Sequence, residues 1–321
     1  MPPIHQREIT KEVIRGAGIT VAILAVSMIM PVFGLFGIMI LPLPTLFYRM
    51  KLGRKAGSYI PIAAFIFLLL VGRELTVDLF IFSELLLLGY LIGELFDRNL
   101  SVDKTVAIAS AVAAIAGLFV LLFYSHAVNK GLGDLFSDFV SSNLSVYQAI
   151  YDNMSESGSE SAAMADSIAV ISNIMTRVMP GLAISGILFI AWTSILLVKP
   201  ILKKNDLTYP DAQPLDQWQA PEKLIWTVIG CGLLLIIPES SLRFWGINGL
   251  IVLSQIYFFQ GIAIVSFYFK KKRMPPMIRW TFYTLMVLQI YVMLFVIGLG
   301  LFDLWLNVRR LNMNNNEEDL L

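Results

Sequence analysis

Apolar runs of bilayer length recur along this chain, and that one feature excludes most folds. The hydrocarbon core of a membrane is about 30 Å thick and takes about 20 apolar residues of helix to cross. Runs of this kind lie at Gly16–Tyr48, Ser58–Val71, Leu75–Phe96, Thr105–Tyr124, Met179–Val198, Leu224–Ile237, Phe244–Phe269 and Trp280–Trp305. The first is too long for one straight helix. Pro31, Pro42 and Pro44 interrupt it, so it reads as a kinked helix with a re-entrant piece, or as two short spans. The count is eight or nine. The expected fold is an all-α, polytopic transmembrane helical bundle, a single integral membrane domain over residues 1–321. No small-residue cleavage site closes the first run, so it reads as a span and not as a signal peptide.

Composition supports this. Hydrophobic residues make up 57% of the chain and charged residues 15%, against about 25% charged in soluble domains. The surplus apolar surface must face lipid. The net charge is +1, and no basic patch interleaved with aromatics stands outside the runs, which argues against a nucleic-acid partner. Cys231 is the only cysteine, so no intramolecular disulfide forms and no Cys-rich metal site is available. His5 and His126 are far apart, which leaves no multi-His metal site. The sequence contains no phosphate-binding loop, no HExxH and no G-x-S-x-G. Neither a catalytic constellation nor a cofactor is expected.

Basic residues orient the chain. Arg49, Lys51, Arg54 and Lys55 form one block, Lys199, Lys203 and Lys204 a second, and Lys270–Arg273 a third. All three are assigned to the cytoplasmic side. The stretch from Tyr124 to Asp166 then lies outside, where its six acids meet Lys130 alone. Arg309 and Arg310 conflict with this alternation. A break of the last helix at Gly298–Gly300, with the following residues along an interface, would resolve it.

The outer segment, residues 125–178, reads as an amphipathic helical insertion. Leu132, Leu135, Phe136, Phe139 and Val140 share one helical face. Residues 154–166 read as a flexible joint, followed by a second amphipathic turn up to Met179-Pro180. The tail, 311–321, is polar and reads as flexible.

Polar groups inside the runs are the candidate functional residues, because each costs about 2.5–3.5 kcal/mol to insert when charged. Glu84 sits almost at the middle of Leu75–Phe96, and Gly89 and Gly93 follow it as a GxxxG. Its carboxyl fits a proton- or cation-linked site or a ligand contact; it also fits a structural acid bonded to a neighbouring helix. Arg73, Glu74 and Asp78 read as interfacial anchors. At 100° per residue, Asn248, Gln255 and Ser266 fall on one stripe, and Gln260 points elsewhere. Interhelical bonding and ligand contact are both open for these amides. Gln260-Gly261 fits a tight helix crossing, Gln289 fits interhelical bonding, and Glu239 and Arg243 are placed to pair. Gly18 and Ala22 have small-xxx-small spacing, which suits packing within the chain or docking of a second membrane protein. Trp192, Trp226, Trp245, Trp280 and Trp305 lie mostly near run ends, as belt residues do.

The segments "LPLPTLFYRMKLGRKAG", "VMPGLAISGILFI", "PLDQWQAPEKLIW", "GINGLIVLSQIYFFQGIAIVSFYFKKK" and "GLGLFDLWLNVRR" occur in this order. Together they resemble the YybS-like family of uncharacterised bacterial integral membrane proteins over nearly the whole chain. That family is distantly similar to the S components of energy-coupling-factor transporters. The resemblance implies a bacterial cytoplasmic (inner) membrane protein that binds a small-molecule ligand from outside and docks on a coupling subunit through Gly18 and Ala22. S components usually have about six spans, fewer than this chain. The expected function is a substrate-binding or transport-related component, with a site formed by Glu84, Asn248, Gln255 and Gln260. The alternative is a membrane scaffold or assembly protein that binds another membrane protein and no small molecule.

Overall fold

A computed structural model describes residues 6–72, 77–154, 158–207, 209 and 214–309. Arg73, Glu74 and the tail at 311–321 lie outside these residues. The described chain is helical, with α1 Gln6–Ile29, α2 Pro31–Ile40, α3 Pro42–Val71, α4 Val77–Asp97, α5 Val102–Ala127, α6 Leu132–Met154, α7 Gly158–Lys204, α8 Leu224–Ile236, α9 Ser240–Lys271, α10 Pro276–Leu288 and α11 Ile290–Leu306. Among the described residues, six helical stretches are long and apolar enough to cross a membrane: Gln6–Ile29, Phe36–Val71, Val77–Asp97, Val102–Ala127, Ser167–Lys204 and Ser240–Lys271. The bent pair α10–α11 makes a seventh if it is counted as one span. Leu224–Ile236 is a shorter apolar helix, so the expected eight or nine segments include stretches that turn back or stop before reaching bilayer length. The chain divides into two compact units, Met1–Met179 with Gly186–Asp211, and Pro180–Ser185 with Ala212–Leu321.

In the first unit the prolines act as helix starts. Met30 is extended, Pro31 opens α2 and Pro42 opens α3. α2 folds back against the end of α1, with Gly34 and Gly37 against Ser27. The third helix is folded as well. Gly53 has φ 78° and ψ −179° inside it, a conformation suited to glycine. Gly57 lies against the backbone of Arg49, so residues 54–71 return past 42–52. The basic block at Arg49–Lys55 is the bend, as its charge density suggests. α4 packs on the first half of α3 through the GxxxG. A Cβ on Gly89 would overlap the Pro42 carbonyl and Thr45 Oγ1, and one on Gly93 would meet Arg49 Cγ at 2.6 Å. On α6, Val140 is buried and Leu132, Leu135, Phe136 and Phe139 are half-buried, so the apolar residues share the covered face. The expected joint at 154–166 is helix from Gly158 onward, continuous through Pro180. Its alanines, glutamate and methionine favour helix over a flexible linker.

In the second unit α8 and α9 form a hairpin, with Gly246 and Gly249 against Cys231. Glu239 and Arg243 do not pair. Glu239 is the extended residue before α9, and Arg243 Nε donates to the Ile237 carbonyl at 3.0 Å, a use of arginine common at helix C-terminal ends. Gly261 and Gly300 mark the α9–α11 crossing, since a Cβ on either would overlap a carbonyl of the other helix. The helical break falls at Gln289 and not at Gly298–Gly300, which lie inside α11. Gln289 is exposed at that break and makes no side-chain bond to another helix among the described residues. Tyr268 Oη donates to Val308 O at 2.7 Å, and the Phe269 ring meets Phe282 and Tyr283 of α10. Both ends of the α10–α11 pair thus lie at the Lys270 end of α9. The pair is re-entrant, and Arg309 shares the side of Lys270–Arg273. The conflict over Arg309 disappears.

Of the five candidate belt tryptophans, Trp226, Trp245, Trp280 and Trp305 are exposed and Trp192 is buried.

Candidate functional site

Glu84 is two turns into α4, on the side that meets α5. The approach is close because position 117 carries no side chain: a Cβ on Gly117 would fall 2.9 Å from Glu84 Oε2 and 3.0 Å from Oε1. Glu84 Oε1 is buried and has no hydrogen-bond partner among the described residues. The adjacent Ser83 does not serve it, because its hydroxyl donates back to Leu79 O at 2.6 Å. No described cation pairs with Glu84. An unpaired buried polar group costs about 1–3 kcal/mol. A carboxyl in this setting can exchange a proton, hold a cation or accept a hydrogen bond from a ligand.

Glu94, ten residues on, shows the contrasting arrangement. Arg49 Nη2 is 2.7 Å from Glu94 Oε2 and 2.7 Å from Asp97 Oδ2, and Arg54 and Arg98 approach Glu94 at 3.5 and 3.7 Å. The Arg49 side chain is 2% exposed. This cluster ties α3 to the end of α4, and Lys51–Glu12 at 2.8 Å ties in α1. Sequence reading counted Arg49 only as an orienting charge.

The three amides all make hydrogen bonds within the second unit. Asn248 Oδ1 accepts the Gly181 N–H at 2.6 Å, and Nδ2 donates to Phe244 O at 2.8 Å. Asn248 thus binds the backbone of α7 one residue past Pro180. Ser185 Oγ donates to Gln255 Oε1 at 3.3 Å. Asn248 and Gln255 therefore do share a face, and that face meets residues 180–185 of α7. Gln255 Nε2 is buried without a partner among the described residues. Gln260 points elsewhere, into a second network: Oε1 accepts from Ala220 N at 3.2 Å and Nε2 donates to Asp303 Oδ2 at 3.2 Å. Arg309 completes that network. Its Nη2 is 2.8 Å from Asp303 Oδ2, and Nη1 donates to Asp216 O and Trp218 O at 2.9 and 3.0 Å. The side chains of Asp303 and Arg309 are both 0% exposed. The only hint of this pair in sequence is an acid six residues before an arginine. Glu84 belongs to the first unit, and Asn248, Gln255 and Gln260 to the second.

A family profile described as "Predicted membrane protein (DUF2232)" matches residues 18–304. The chain belongs to this family. It is similar to a Bacillus subtilis (strain 168) protein named "Uncharacterized protein YybS", at 22% identity over 255 residues, 76% of this chain and 79% of that protein. No solved structure matches. The DUF2232 region takes in Glu84, the three amides and Asp303, and ends before Arg309.

Gly18 and Ala22 are both exposed on α1, and nothing lies within 4 Å of a Cβ built on Gly18. They do not pack within the described chain. Among the described residues no three His, Cys, Asp or Glu side chains gather as metal ligands. Outside the spans, Tyr209 is pushed up to about 12 by burial against Phe96.

Proposed function

We propose that this protein is a solute-binding, transport-related component of a bacterial cytoplasmic membrane, not an enzyme, with Glu84 as its ionisable centre. One observation carries the reading: a carboxyl oxygen buried inside a spanning helix with no partner among the described residues. A purely structural acid would be expected to have found one, as Glu94 has. Asn248 and Gln260 are spent on backbone and side-chain bonds and leave the proposed site. The likeness to S components rests on the small-xxx-small spacing at Gly18 and Ala22 and on the proline-rich turn before "LGRKAG".

The test is retention of small molecules. Purified wild-type protein and Glu84→Gln, each in lipid nanodiscs, are incubated with a polar metabolite extract, washed, and analysed by mass spectrometry. The wild type should enrich at least one solute that Glu84→Gln does not. Equal retention by both, or none by either, refutes the reading.

A second reading has its own support. The exposed Gly18 and Ala22 leave a flat face on α1, which suits docking of a partner helix. Gly18→Leu should then abolish co-purification of that partner without changing stability.

A further inference from the structure

Helices α6 and α7 flank an open groove of about 770 Å³, within the range of about 300–1,000 Å³ typical of small-molecule sites. Ser137, Ser141 and Ser145 line it from α6, four residues apart and so on one face. Ser172, Asn173 and Thr176 line it from α7. The helices touch where Ser141 Oγ and Ser172 Oγ lie 3.5 Å apart. Ser141, Ser145 and Asn173 are exposed, and Ser137, Ser172 and Thr176 are half-buried, so the groove opens to solvent with one polar row on each helix.

The lining has a defined chemistry. Ser145 and Thr176 donate their hydroxyl protons to carbonyls of their own helices, Ser142 O at 2.8 Å and Ser172 O at 2.9 Å. Their oxygens remain acceptors. Asn173 offers both a donor and an acceptor. Leu144, Ile168 and Ala169 supply an apolar strip. No acidic side chain lines the groove among the described residues. Its single cation, Arg177, already takes part in another interaction. Neutral donors and acceptors beside an apolar strip match a molecule with hydroxyls on one side and C–H groups on the other.

We propose that the α6–α7 groove is an extracytoplasmic binding site for a small neutral polyhydroxylated solute, a sugar or sugar alcohol. It uses none of the residues around Glu84. Full-length protein in nanodiscs is titrated with glucose, glucitol and glucose 6-phosphate by calorimetry. Wild type should bind glucose or glucitol saturably and glucose 6-phosphate more weakly. Ser141→Val/Ser172→Val should weaken binding about tenfold, as the loss of two ordinary hydrogen bonds requires. Ser142→Ala, on α6 outside the groove, should bind as wild type. No saturable binding by wild type overturns the proposal. So does tighter binding of glucose 6-phosphate, or unchanged binding by a folded Ser141→Val/Ser172→Val. If Ser141→Val/Ser172→Val loses binding while Ser142→Ala keeps it, the groove stands whatever becomes of the solute-retention test at Glu84.

Discussion

Replacing Arg309 with methionine should loosen the re-entrant α10–α11 pair. The substitution keeps an apolar stem of similar length and removes only the guanidinium. Three bonds go with it, to Asp303 Oδ2 at 2.8 Å and to the carbonyls of Asp216 and Trp218 at 2.9 and 3.0 Å. Asp303 then keeps only Gln260 Nε2 and the Val308 N–H. Both partners are fully buried, and removing one member of such a pair costs about 3–5 kcal/mol. Asp303→Asn should cost a similar amount, because it strands the arginine. The double variant should cost less than the sum of the two, by at least about 1 kcal/mol, since residues in contact couple by about 0.5–3 kcal/mol. Unfolding in detergent with increasing dodecyl sulfate measures the cycle, and hydrogen exchange should place the loss at residues 276–309. A cost for Arg309→Met below about 1 kcal/mol, or additive single costs, would refute the burial argument.

Gly261→Ala should destabilise by about 1–3 kcal/mol, because its Cβ overlaps the Val296 carbonyl and backbone has no rotamer to escape into. Gly18→Ala, with nothing within 4 Å, should stay within about 0.5 kcal/mol of wild type in the same assay. Asn248→Ala should cost about 0.6 kcal/mol, the average for an interhelical bond in a membrane protein, and no more than about 1.7. Tyr209 is raised to about 12 in the fold from an ordinary value of 10.0. Its contribution to stability is therefore present below pH 10 and lost as pH rises toward 12. Tyr209→Phe should flatten that alkaline decline in a thermal melt.

The spans were legible in the sequence because lipid demands long apolar runs, whatever the tertiary contacts. The turn at Arg49–Lys55 was legible for the same reason, since four charges cannot sit mid-membrane, and Gly53 supplies the backbone freedom there. The re-entrant pair was not. Its break at Gln289 carries no Gly or Pro signal, whereas Gly298 and Gly300 do, and the latter glycine serves a helix crossing instead of a turn. Arg309 misled because charge counting assumes that a terminal arginine meets headgroups, while this one is buried on Asp303. Helical periodicity separated Gln260 from Asn248 and Gln255, since angle alone settles that. It was silent on what each amide meets. Glu84 was conspicuous by depth, and its lack of a partner is a tertiary fact that depends on Gly117 thirty-three residues away.

Infrared difference spectroscopy of the reconstituted protein, stepped in pH and in deuterated buffer, reads Glu84 most directly. A working centre gives a carboxyl C=O band in wild type that responds to bath pH, exchanges with deuterium and disappears in Glu84→Gln. Identical spectra for the two proteins, or a Glu84 band deaf to both pH and deuterium, would show a sealed structural acid and contradict the proposed role.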